Sequence, residues 1–320
     1  FAESLQKAAE RCEQPGLATE LLLEAGRTLE TVIGDAARAC AIYQRVFASQ
    51  APEELVAEAG RRAIPLLERA GREAELLEAL SRMSELSSAP EQRRALLGKV
   101  AELAHKLGDG ARAAVAWQAR LALDSEDIEA LDALITGAAA QQQWPALAQL
   151  LQQRIKAPAG GSRRRQDQVW LAGTLADRLN DPSAAIEVWR GIQQSFGEDP
   201  ESVTALTDLL SRTERWPELA EVLSQAAARQ IARFTELQTQ LGDAYRERLD
   251  QPELAAQRYR DALQVEPRSE PARLGQHALL GDERCNRIAV PSLVDAYART
   301  AEWQKTLSLL EPRLLIAATP

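Results

Sequence analysis

Histidines, cysteines and clustered carboxylates are the side chains from which most catalytic and metal sites are built, and this sequence holds few of them in useful patterns. Its two histidines, His105 and His277, lie 172 residues apart, and neither belongs to a His-Glu-x-x-His pair. No Gly-x-x-x-x-Gly-Lys-Ser/Thr phosphate loop and no Gly-x-Ser-x-Gly nucleophile turn occurs. The string Gly108-Asp109-Gly110-Ala111-Arg112 has the glycines of a phosphate cradle. Its counterparts are Asn180-Asp181-Pro182 and Asp250-Gln251-Pro252, however, so it reads as a turn between helices. Cys12, Cys40 and Cys285 are odd in number, widely spaced and without a Cys-x-x-Cys pair. They read as reduced, buried thiols rather than as a disulfide framework or a metal site. Glu53-Glu54, and Asp199 with Glu201, fall near helix starts, where the macrodipole favours acids, so capping is expected of them. No catalytic, cofactor or metal residue is assigned, and no enzymatic activity is expected.

Binding chemistry is the remaining class. Lys and Arg number 38 against 47 Asp and Glu, a net charge of -9 that repels a phosphate backbone, so nucleic acid is a poor partner. The one basic run, Arg163-Arg164-Arg165, follows Ala159-Gly160-Gly161-Ser162. It reads as a solvated helix start, with contact to an acidic partner segment as the functional alternative. Trp117 and Trp189 sit beside small residues and are expected in the core, whereas Trp170 is off their register and is expected to be partly exposed. No apolar run approaches the ~20 residues of a membrane span.

These residues need elements to carry them, and the elements repeat. Ala, Leu, Glu, Arg and Gln dominate, which favours helix, and no segment alternates with period two for long enough to suggest a strand. Gly34 to Phe47, Gly108 to Leu121, Asn180 to Gln193 and Asp250 to Leu263 share a polar turn followed by a small residue and, four positions on, an aromatic. The pairs are Ala39 with Tyr43, Ala113 with Trp117, Ala185 with Trp189 and Ala255 with Tyr259, and the aromatics recur at intervals of 74, 72 and 70 residues. An interleaved series starts at Trp144, Trp216 and Trp303, with Gly71 to Ser81 as a tryptophan-free relative. The period is therefore a pair of helix hairpins of about 36 residues each, about eight hairpins in all.

Leu241-Gly242-Asp243-Ala244-Tyr245, followed by Ala255, Tyr259, Ala262 and Pro267, resembles the tetratricopeptide (TPR) signature. Other units match it less fully, through Gly26, Leu29, Ala39 and Tyr43, through Leu103, Ala113 and Trp117 with Val100 where glycine is expected, and through Leu171, Leu175, Ala185 and Trp189. Half-a-tetratricopeptide repeats are a neighbouring class. The resemblance implies an all-α, right-handed superhelical solenoid, continuous over residues 1–320. Two irregularities are expected. One is an insertion about residues 268–291, with a short extra helix near Pro291 and a helix kinked or broken at Pro65 and Pro291. The other is a start in mid-repeat, since Phe1 to Glu13 aligns with a second helix, which implies further repeats or domains before residue 1.

In this family a groove is lined by first-helix positions spaced four and then three residues apart. The resemblance carries them to Leu23, Arg27 and Glu30, to Leu97, Ala101 and Ala104, to Val169, Gly173 and Ala176, and to Thr239, Asp243 and Arg246. The asparagine that family members use to clamp a C-terminal carboxylate is replaced by Arg27, Ala101, Gly173 and Asp243. The implied function is a non-enzymatic scaffold that holds a peptide, helix or folded protein partner on its concave face, with an amphipathic or apolar segment as occupant. The rivals are a ligand-sensing regulatory module of a larger bacterial protein, and an enzyme with an unrecognised site.

Overall fold

The computed structural model describes residues 1–49, 51–158 and 161–309, and only the backbone of 161–162. Among the described residues there are eighteen α-helices and no strand. The chain divides into two compact units, Phe1–Ala159 and Gly160–Pro320. Of the residues before the arginine run, Ala159 and Gly160 lie outside the described residues.

In the first unit, α1 (Ala2–Arg11) precedes four hairpins: α2 (Pro15–Thr28) with α3 (Ala36–Phe47), α4 (Glu53–Ala70) with α5 (Glu73–Leu86), α6 (Pro90–Lys106) with α7 (Gly110–Leu123), and α8 (Ile128–Ala140) with α9 (Trp144–Lys156). The second unit continues with α10 (Gly161–Gly173) and α11 (Pro182–Phe196), α12 (Pro200–Arg212) and α13 (Trp216–Arg229), and α14 (Phe234–Glu247) and α15 (Pro252–Val265). It closes with α16 (Glu270–Ala278), α17 (Glu283–Arg299) and α18 (Trp303–Ser308). Single π turns, Leu29–Ile33 and Thr174–Arg178, extend α2 and α10. Within each unit helices pack chiefly on their neighbours in sequence, as a linear repeat requires.

The turn inside each hairpin is one structure written eight times. Gly34, Gly71, Gly108, Gln142, Asn180, Glu214, Asp250 and Ala301 all have left-handed backbone, and the next residue in each case caps the second helix. At Asp35, Asp109 and Asp181 the cap carboxylate accepts the amide three residues on, satisfying a donor that the helix leaves unpaired. Eight such turns agree with about eight hairpins and settle Gly108-Asp109 as a turn.

The close crossings fall at the signature residues. Tyr259 is fully buried, and a Cβ at Gly242 or at Gly275 would stand 2.5 or 2.4 Å from its ring. Tyr43 is held the same way against Gly26, at 2.5 Å. Ala39, Ala185 and Ala255 have no exposed surface, and Trp117 and Trp189 lie in the core as expected.

An extra short helix lies within residues 268–291, but not near Pro291. The extra helix is α16, which ends well before Pro291, and residues 268–291 are mostly helical. Pro291 and Pro65 lie inside α17 and α4, which run on through them. A proline removes one N–H from the ladder without ending the helix when tertiary packing holds both halves. Here Leu66, Leu67, Leu293 and Ala296 supply that packing.

Candidate functional site

The expected groove positions separate by burial. Leu23, Leu97, Ala101, Ala104, Ala176 and Thr239 are buried, so their side chains do not line an open surface. This corrects the placement of Leu97 in particular. A face four and three residues wide is taken up by packing against the hairpin's own second helix and the neighbouring repeat. Val169 is half-buried, and Gly173 is exposed with open space where a side chain would stand. Trp170 beside them is 41% exposed, in line with the partial exposure expected of it, and Trp303 is 60% exposed.

Arg27 and Glu30 are brought together with two residues that the spacing rule missed, Glu58 and Arg62 of α4. Arg27 donates to Glu58 and to Glu24, and Arg62 Nη1 donates to Glu30 at 3.2 Å. The buried Tyr43 hydroxyl donates to Glu30 at 2.7 Å. The hydrogen bond to Glu58 raises the Arg27 pKa, and the same bond lowers that of Glu58. Burial, then Glu30, pushes Tyr43 up. The two arginines are shared among the three carboxylates Glu24, Glu30 and Glu58, so this first-helix surface ties α2 to α4 and its charges are already paired.

The second unit is different. Between α12 and α14, floored by α13, lies a cleft of about 420 Å³ lined by Asp208, Asp243 and Glu247 and by the hydroxyls of Thr204, Thr207 and Ser211. Its one cation is Arg248, stacked over the Trp216 ring with 4.7 Å to the centroid. Asp243 accepts from the Tyr259 hydroxyl at 2.6 Å, and Arg246 reaches Asp243 at 3.5 Å and Glu247 at 2.5 Å from outside the cleft. Burial followed by Asp243 raises the Tyr259 pKa, which keeps that hydroxyl a donor. Of the expected positions Asp243 lines this cleft and Arg246 lies beside it, while Asp208, Trp216, Glu247 and Arg248 were missed. The recurring tryptophan at the start of second helices was the available signal.

A cleft of about 430 Å³ on the second-helix side, between α3 and α5, is more apolar, but its rim is self-paired. Glu75 accepts from Gln44 and Arg72, and Glu78 from Arg112. The arginine run is likewise engaged: Arg165 donates to Asp199 at 2.5 Å and Glu201 at 2.7 Å, joining α10 to the start of α12, where Asp199 caps the helix as expected.

Among the described residues, no group of three or more His, Cys, Asp or Glu is arranged to hold a metal ion. Cys40 and Cys285 are buried, and burial raises both thiols, Cys285 to about 11. Cys12 is only half-buried, a correction. His277 Nε2 lies 2.7 Å from the Tyr297 hydroxyl, and burial with the Lys305 and Arg273 charges lowers its pKa. No helix among the described residues is long and apolar enough to cross a membrane.

No family profile and no curated protein matches the sequence. Solved structures are similar in fold. YrrB, a TPR protein with an unusual peptide-binding site, is 16% identical over 57% of this chain and 90% of its own, with a TM-score of 0.35. Naa15/Naa10 bound to HypK-THB gives 12% identity over 92% of this chain and 51% of that one, with a TM-score of 0.43. The P58(IPK) TPR domain gives 15% identity over 92% of each chain, with a TM-score of 0.28. This chain therefore spans about half the length of the Naa15/Naa10 chain that it resembles. On its own hairpin turns and its glycine–tyrosine crossings, the chain is a TPR-like helical-repeat protein.

Proposed function

We propose that the protein is a binding scaffold whose second unit holds a basic segment of a partner protein between α12 and α14. The observation that supports this reading is the charge of that cleft. Three carboxylates line it with one arginine, which is stacked on Trp216, and the arginines that pair with those carboxylates, Arg246 and Arg212, are not among the lining residues. Hydroxyls between them accept and donate hydrogen bonds, and Leu219 and Leu223 floor the cleft for an aliphatic stem. This replaces the expected apolar occupant, because most of the apolar positions that suggested it, Leu97, Ala101, Ala104 and Ala176, are buried.

Selection of random displayed peptides on the full chain tests the reading. Sequences enriched in Lys and Arg are expected, with the enrichment lost on Asp208→Lys/Glu247→Lys. Peptides that are acidic or purely apolar, or an enrichment indifferent to the charge reversal, contradict it.

A further inference from the structure

Arg248, the one cation lining the cleft between α12 and α14, is held differently from Arg120 over Trp117 or Arg273 over Tyr297. Arg120 is mostly buried and bound to Asp127 at 2.7 Å and Glu129 at 2.5 Å, and Arg273 is bound to Glu302 at 2.8 Å. Arg248 is exposed at the end of α14, and among the described residues its guanidinium has no ion pair and no hydrogen bond. What it touches is the ring of Trp216, the first residue of α13, with 4.7 Å to the centroid. A cation on a ring at an exposed site is held weakly, so Arg248 can leave that ring without stranding a partner.

The carboxylates of the cleft have capacity to spare. Asp243 uses Oδ1 for both the Tyr259 hydroxyl and Arg246, and Glu247 uses Oε1 for Arg246. Asp208 meets Arg212 through Oδ2 at 3.8 Å, beyond hydrogen-bond reach. Among the described residues, Asp243 Oδ2, Glu247 Oε2 and Asp208 Oδ1 accept no hydrogen bond. All three side chains are 44% exposed or more, so a ligand can reach them. The cleft therefore offers a ring face and open carboxylate oxygens, and the chain's own guanidinium covers the first without using the second.

We infer that Arg248 is a stand-in which a partner's arginine displaces, the entering guanidinium stacking on Trp216 and donating to carboxylate oxygens that Arg248 leaves open. This rests on the reading of the cleft as the seat of a basic segment, and adds which residue of that segment is read and what covers the ring before it arrives. Arginine is favoured over lysine, because a planar guanidinium stacks and donates at once whereas an ammonium is a hydrated point charge. Arg248 competes with the partner for the ring, so removing it strengthens binding.

The test follows the Trp216 indole N–H by NMR on the full chain, one signal among six tryptophans, identified by its loss in Trp216→Phe. The probe is the capped tripeptide acetyl-Gly-Arg-Gly-amide, with the lysine tripeptide and sodium chloride of equal ionic strength as controls. A saturable shift is expected with the arginine peptide, about threefold tighter in Arg248→Gln, where one exposed cation–ring contact no longer competes. The lysine peptide should bind more weakly in both proteins and gain less from the substitution. Arginine-peptide binding that Arg248→Gln leaves unchanged or weakens overturns the inference and leaves the basic-segment reading standing. An equal gain for both peptides does the same, since it reports net charge alone. No saturable shift in either protein beyond that given by sodium chloride also overturns the inference. If displayed peptides are then enriched in Lys and Arg, the basic-segment reading stands without Trp216, and if they are not, it falls as well.

Discussion

At the scale of single residues, function and structure compete for the same charges, and the outcome is decided by who else is within reach. Asp127 is buried between Arg94 and Arg120, at 2.7 Å from each Nε, and it also caps α8. Burial alone would raise its pKa, but hydrogen bonds from Arg120, the Ala130 amide and Arg94 outweigh burial and lower it. Asp127→Ala removes a cap and one acceptor from each arginine, while Arg94 keeps Asp124 and Arg120 keeps Glu129, so a loss of about 1–2 kcal/mol is expected; chemical denaturation measures it, and a loss under about 0.5 kcal/mol would contradict the capping role. Ala185 has no exposed surface, whereas Glu187 is two-thirds exposed. Ala185→Leu should cost about 1–3 kcal/mol by overpacking and Glu187→Leu far less; equal melting temperatures would mean that the crossing is loose. Glu302 accepts from Lys305, Thr300 and Arg273, and those bonds bring its pKa down to about 2. A lowered folded pKa gives stability that is present above the usual carboxylate pKa and lost as pH falls toward 2. Glu302→Gln should therefore melt earlier than wild type at pH 7 and together with it near pH 2. A gap that persists in acid contradicts the linkage.

At the scale of helices, what was legible in the sequence was whatever repeats. The aromatic–small pairs located α3, α7, α11 and α15, and Gly242 with Tyr259 proved to be a close crossing, because close packing needs particular side-chain sizes at fixed spacing. The position of α16 was not legible, since Glu270 to Ala278 has no counterpart against which to align. Pro65 and Pro291 read as breaks because local chemistry disfavours interior proline, and tertiary packing overrode it. The left-handed turn position was half visible, as Gly34, Gly71 and Gly108. In the other hairpins it is held by non-glycine residues, among them Ala301 at φ 61°. A non-glycine residue there costs about 1–2 kcal/mol, against which glycine's extra unfolded-state entropy weighs about 0.5–1. Ala301→Gly should stabilise the α17–α18 turn by up to about 1 kcal/mol. A lower melting temperature in that variant would mean that the turn is not strained.

At the scale of the molecule, the candidate site was the least legible part, for a reason the contacts make plain. First-helix positions were chosen by spacing on one helix, but the groups beside them come from the next repeat. Arg27 meets Glu58 31 residues on, Arg94 meets Asp127 33 residues on, and Arg165 meets Asp199 34 residues on. A reading that paired opposite charges one repeat apart would have found the closed network around Arg27 and Glu30, and so set it aside. It would not have found the α12–α14 cleft, which is defined by carboxylates that outnumber the one cation among its lining residues. That excess is the central claim, and one measurement addresses it directly: the affinity of a selected lysine- or arginine-bearing peptide for the full chain by calorimetry, with and without Asp208→Lys/Glu247→Lys, at low and at high salt. The account predicts a loss of at least about tenfold on charge reversal, roughly 1.4 kcal/mol, and weaker binding as salt screens the exposed cleft. Arg260→Gln, outside the cleft, should leave the affinity unchanged. Equal affinities for wild type and the reversed variant, or binding insensitive to salt, would contradict it.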